Sequence, residues 1–177
     1  MLSSQIIVAL AVAIAVVAAV VDVREQRIPN RLTYPAMLAG LFVQSLRFGW
    51  HGLLASLAGG LAAGGVLLLF YTIRAMGAGD VKLAAALGFV VGFQDAMRIL
   101  AATAIAGGIL ALAFMLVQGR VGETLRSTWR VACFHAAVGL HPHPTANLDN
   151  PKAARMPYGL AFVAGTLYWA ISPLFGR

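Results

Sequence analysis

Apolar stretch follows apolar stretch along this chain, at about 4–21, 33–47, 53–73, 81–94, 97–118 and 157–175. Runs approaching the roughly 20 residues that cross a bilayer leave few choices of fold. In hydrocarbon each backbone N–H and C=O must be satisfied within the segment, so such runs form helices. The expectation is an all-α polytopic membrane protein with about six transmembrane helices. The stretches 33–47 and 81–94 are short for a span, and either also fits a re-entrant or partly buried helix. Composition agrees, with 60% apolar and 11% charged residues and a mean hydropathy of +0.85. A soluble domain carries about a quarter charged residues.

A polar stretch at about 119–156 separates the last two spans, and it is too short to read as a second domain. Residues 1–177 are therefore read as one integral-membrane domain. Within the loop, Glu123 to Leu140 suits an amphipathic helix lying on the membrane surface, with Arg126 and Arg130 one turn apart. The sequence His141-Pro142-His143-Pro144 would break it. Residues 6–21 have the look of a signal-peptide core, yet no Lys or Arg precedes them and a charged segment, 22–27, follows. A signal peptide places its positive charge first. A retained first helix with its N-terminus outside is the better reading.

The formal net charge of +7 raises the question of nucleic acid. The basic residues, however, cluster at span ends, where the positive-inside rule accounts for them. No nucleic-acid partner is expected. If the first span enters from outside, the inner segments 22–32, 74–82 and 119–156 hold Arg24, Arg27, Arg31, Arg74, Lys82, Arg120, Arg126, Arg130, Lys152 and Arg155. Only Arg47, Arg98 and Arg177 fall outside. This topology, drawn from basic residues alone, puts Asp22 and Asp80 on the same inner side at similar depth.

Carboxylates at a membrane boundary are costly and point to function. Two of them within a few ångströms cannot both ionise cheaply, so they share a proton. One can then act as base on water while the other protonates the scissile carbonyl and later the leaving amine. Such a pair titrates as a unit, so sequence does not assign the base. Gly77 and Gly79, beside Asp80, permit close approach of a substrate strand. Against this, a glycine-rich turn followed by Asp at a helix start is an ordinary cap, and Asp22 could simply pair with Arg24 or Arg27. The lone Cys133 excludes an intrachain disulfide and a cysteine zinc cage. Cys133, His135, His141 and His143 match no standard metal spacing. No metal and no cofactor are expected.

The local sequences carry a resemblance. Asp22-Val23-Arg24-Glu25-Gln26-Arg27-Ile28-Pro29-Asn30-Arg31-Leu32 resembles the first signature of the type IV prepilin peptidases. Gly77-Ala78-Gly79-Asp80-Val81-Lys82-Leu83 resembles the second, and Pro157-Tyr158-Gly159 the element that opens the last helix. The three come in family order and span the chain. The resemblance implies a metal-independent aspartic endopeptidase of the bacterial inner (cytoplasmic) membrane, cutting at the cytoplasmic face. Its substrate would be a single-span prepilin or pseudopilin, whose short basic leader it removes. Asp22 and Asp80 match the catalytic aspartates. Longer members carry an N-terminal segment with paired Cys-x-x-Cys motifs linked to N-methylation. Here the chain starts at its first helix, which resembles the short form found with Tad/Flp pili. Gly-x-Gly-Asp also marks presenilin-like proteases, but their Tyr-Asp and Pro-Ala-Leu elements are missing.

Around the dyad, Gly77, Gly79, Lys82, Arg27, Pro29, Asn30, Pro157 and Gly159 are candidates for binding substrate or shaping the site. Pro29 and Asn30 suit a turn between helices. Lys82 could tune Asp80 or hold a lipid headgroup, and Arg24, Arg27 and Arg31 suit anchoring at the anionic leaflet. Gly59, Gly60, Gly64, Gly65, Gly107 and Gly108 are expected to pack helices closely, and Asp95 with Arg98 to lie in a solvated outer loop. Two rival readings use the same residues: a small proton-coupled transporter with the carboxylates as relay, and a non-catalytic scaffold of pilus assembly. The transporter predicts acidic residues spread through the membrane, and 53–73, 97–118 and 157–175 contain none.

Overall fold

The computed structural model describes residues 2–117 and 158–175, with scattered positions between 122 and 139. Its long elements are α1 (Leu2–Glu25), α2 (Asn30–Thr72), α3 (Ala78–Val91), α4 (Phe93–Val117) and α5 (Gly159–Phe175). Among the described residues no strand occurs. Three helices, Gln5–Glu25, Asn30–Thr72 and Phe93–Val117, are long and apolar enough to cross a membrane, and Gly159–Ser172 is a shorter apolar helix. Most of the 119–156 segment lies outside the described residues, as do Pro157, His135, His141 and His143. Arg126 and Arg130 are helical and exposed.

The stretches 33–47 and 53–73 are the two limbs of α2. They meet at Gly49, whose backbone (φ 57, ψ −136) departs from the helix and lies where only glycine sits without strain. Their common neighbour shows that the chain reverses there. A straight helix would hold residues 40 and 60 about 30 Å apart. Yet a Cβ on Gly40 would come within 2.7 Å of the Phe89 backbone, and one on Gly60 would strike the Phe89 ring. α3 therefore lies along both limbs.

The α2–α3 contact is made backbone to backbone. A Cβ on Gly59 would collide with the Gly88 carbonyl, and one on Gly88 with the Gly59 carbonyl. Such small-residue crossings suit a bundle that gains nothing by burying apolar surface from lipid. The last carbonyls of a helix lack intrahelical partners. In α3, buried Gln44 donates from Nε2 to the Val90 carbonyl at 2.9 Å, and the Ser56 hydroxyl donates to that of Phe89. The helix stops at Gly92 (φ 83), whose N–H donates to the Gly88 carbonyl. Asp95 and Arg98 follow at once in the first turns of α4, not in a loop, and form an ion pair at 3.0 Å.

The bundle interior is built from small residues, including Ala11, Ala15, Ala18, Ala84, Ala86 and Ala161, around Leu83, Leu87, Ile99 and Phe162. The large apolar residues Leu38, Phe42, Leu46, Leu61, Ile105 and Ile109 instead face outward. An exterior this apolar suits hydrocarbon as solvent. Of the glycines read as packing residues, Gly59, Gly60 and Gly64 meet α3, and Gly107 meets Tyr158. Gly65 and Gly108 face open space, so no neighbour requires glycine there.

Candidate active site

α1 carries Asp22 on its last full turn, and the chain then leaves the helix through Gln26, which adopts φ 51 while its N–H holds the Asp22 carbonyl at 2.8 Å. Pro29, fixed in an extended conformation (φ −74, ψ 145), starts α2, and its carbonyl accepts the N–H groups of Leu32 and Thr33. Pro29 and Asn30 thus form the turn between helices that the sequence suggests. Between them and Asp22 lies buried Ile28, which packs on Gly79: a Cβ there would fall 3.1 Å from that of Ile28. This contact ties the Gly77–Asp80 segment to the α1–α2 link.

Asp80 enters on the first turn of α3. Its backbone N–H reaches the Gly77 carbonyl at 3.2 Å, and its Oδ2 accepts the Gly77 N–H at 3.3 Å, a reciprocal cap that fixes the carboxyl at the helix start. Its carboxyl, just ahead of the apolar run 81–91, is pushed up to about 6, first by burial and then by the negative charge of Asp22, against the Gly77 hydrogen bond. The two aspartates are therefore electrostatic neighbours. Asp22 is 8% exposed. Neither Arg24 nor Arg27 pairs with it; its Oδ2 accepts the backbone N–H of Gly159 at 2.9 Å.

Gly159 is the start of α5, and the fit is close: a Cβ there would lie 2.8 Å from the Ala19 Cα and 3.1 Å from Asp22 Oδ2. Tyr158, beside it, was not among the site residues expected from the sequence, although it stands within the third motif. It is partly buried, its ring meets Phe162 edge-on at 6.4 Å, and a Cβ on Gly107 would come within 2.6 Å of its hydroxyl.

Lys82 does not neutralise Asp80. Its Nζ donates to Asn30 Oδ1 at 2.8 Å and lies 5.8 Å from the centre of the Tyr34 ring, binding α3 to the start of α2. Arg27 is exposed, and no described side chain bonds to it. Among the described residues no cluster of three His, Cys, Asp or Glu could hold a metal. One end of the bundle thus gathers Asp22, Asp80, Gly77, Gly79, Pro29, Asn30, Lys82 and Gly159, while Arg27 stays at its edge and Pro157 lies outside the described residues.

An all-helical bundle with an apolar exterior and two carboxyls at one end has the architecture of a membrane protein. The model of the type IV leader peptidase family matches residues 9–112. That is more than half of the chain, and the chain belongs to this family of peptidases. The match includes both aspartates and ends before Tyr158 and Gly159. No curated protein and no solved structure matches the chain.

Proposed function

We propose that this protein is an aspartic endopeptidase that removes the leader of type IV or Flp-type prepilins at the cytoplasmic face of the bacterial inner membrane. The observation that supports the reading is that Asp22, held by the Gly159 N–H, and Asp80, held by the Gly77 N–H, stand at one end of the bundle. The described basic residues Arg24, Arg27, Arg31, Arg74 and Lys82 share the segments next to that end, which supports a cytoplasmic orientation with the N-terminus outside. Six helical limbs, two of them from α2, then act as six spans. The substrate's own apolar helix lies in the bilayer beside the bundle, with its basic leader emerging at the dyad.

In the reaction the pair holds one proton. The ionised carboxylate takes a proton from water, and the oxygen attacks the scissile carbonyl carbon. The protonated carboxyl gives its proton to the carbonyl oxygen, forming a tetrahedral diol. The proton gained by the base passes to the amide nitrogen and the C–N bond breaks. A diol hydroxyl returns its proton to the dyad as the new carboxyl terminus forms. The Gly159 N–H holds one oxygen of Asp22, leaving the other for water. No metal enters this scheme.

The test is cleavage in proteoliposomes of a candidate Flp-type prepilin, followed by mass spectrometry, with wild type, Asp22→Asn and Asp80→Asn. Asparagine keeps size and most hydrogen bonding but cannot exchange the proton. Loss of at least about a thousandfold in each folded variant is expected for members of one catalytic unit. Retained cleavage in both variants overturns the dyad, and a wild type inert toward several prepilins overturns the substrate.

A further inference from the structure

We propose that the end of the bundle opposite the dyad holds a site for one anionic phospholipid. A cavity of about 580 Å³ opens there, among the α2 reversal, the α3–α4 joint, the start of α1 and the last turns of α5. That volume suits a ligand rather than a few waters. It is distinct from the dyad, which lies at the other end of the same helices.

The walls divide by chemistry. One side is apolar, with Ile7 from α1, Val91 from α3 and nearly buried Trp169 from α5. The other carries Arg47 and His51, which flank the reversal at Gly49, and Arg98 from α4. Arg98 is already matched by Asp95 at 3.0 Å. Arg47 is not: its guanidinium lies 4.9 Å from the Phe48 ring centre, and no described carboxylate neutralises it. The cavity therefore offers one uncompensated guanidinium beside an apolar wall. An occupant must bring both an anionic group and a hydrocarbon chain.

Within a bilayer that description selects an anionic phospholipid. Its phosphate meets Arg47, with His51 and the exposed Arg98 at headgroup level, and an acyl chain runs along Ile7 and Trp169. Guanidinium pairs well with phosphate oxygens and is weakly hydrated, so the exchange from water is favourable. In the orientation proposed above, this lipid belongs to the outer leaflet.

The test uses the full chain in detergent. Native mass spectrometry would titrate it with dioleoyl phosphatidylglycerol, dioleoyl phosphatidylcholine or inorganic phosphate, comparing wild type with Arg47→Gln. The expected result is a one-to-one adduct with phosphatidylglycerol, weakened roughly tenfold by Arg47→Gln, as for loss of one charge-assisted contact. Equal binding of the two lipids, or an Arg47→Gln variant that binds as wild type, overturns the site. Displacement of the lipid by millimolar phosphate would show an ion site only and also overturn it. Should Arg47→Gln fail to fold, Trp169 reports instead. In a Trp50→Phe, Trp129→Phe background, brominated phosphatidylglycerol should quench it at lower mole fraction than brominated phosphatidylcholine. Equal quenching counts against the site.

Discussion

The backbone N–H of Gly159 donates to Oδ2 of Asp22 at 2.9 Å, a bond that joins the start of the last helix to the end of the first across 137 residues. It leaves Asp22 without an arginine partner and makes α5 part of the dyad's setting. With the Gly77 N–H on Asp80, each proposed catalytic carboxyl has one oxygen held by a glycine amide.

Gly159→Ala should lower cleavage more than it lowers stability. The new methyl would meet the Ala19 backbone at 2.8 Å and Asp22 Oδ2 at 3.1 Å, and neither can yield without moving the carboxylate. Overpacking of this kind costs about 1–3 kcal/mol, while a catalytic group displaced by about 1 Å loses on the order of a hundredfold in rate. Cleavage kinetics beside thermal unfolding in detergent would separate the two, and an Ala variant cleaving at the wild-type rate contradicts the role given to Gly159.

Cleavage should fall as pH rises through about 6. Asp80 is raised from the usual 3.8 to about 6, chiefly by burial and secondly by Asp22, so the dyad's shared proton leaves over that range. The decline should approach about tenfold per pH unit above it. The sign for folding is the same. A carboxyl with a raised folded-state pKa binds its proton better when folded, so its effect on stability becomes less favourable from about pH 4 to about pH 6. In Asp22→Asn, Asp80 should titrate lower, yet still above 3.8 because burial persists. Carboxyl-carbon NMR measures this directly, and an unmoved titration would mean the two groups do not interact.

The glycines of the bundle should divide sharply. Gly88→Ala drives a methyl into the Gly59 carbonyl and should destabilise by about 1–3 kcal/mol. Gly65→Ala meets nothing within 4 Å on an exposed helical position and should stabilise by about 0.5–1 kcal/mol. Thermal unfolding in detergent reads both, and equal effects would contradict the α2–α3 packing.

Lys82 and Asn30 should act as one unit. Lys82→Met and Asn30→Ala each break the 2.8 Å bond that holds α3 to the start of α2. Each single change should slow cleavage severalfold, and the double variant should be little worse than either. Fully additive losses would place Lys82 in a separate role, on substrate or lipid.

The all-helical, apolar character of the chain and the position of Asp22 and Asp80 beside its apolar stretches were legible in the sequence itself. Hydrophobic length and the sidedness of basic residues are one-dimensional signals set by the bilayer. The turn at Pro29 and Asn30 was legible too, because proline fixes its own backbone. What only the tertiary structure decided depends on which helices lie side by side. Lys82 reaches Asn30 instead of Asp80 because α3 runs along the first limb of α2. Gly59 must be glycine, and Gly65 need not be, because one faces α3 and the other open space. Gly159 reaches Asp22 because α5 packs against the end of α1. Each of these is a contact between residues far apart in the chain, fixed by close packing between helices and invisible to the local pattern around either partner.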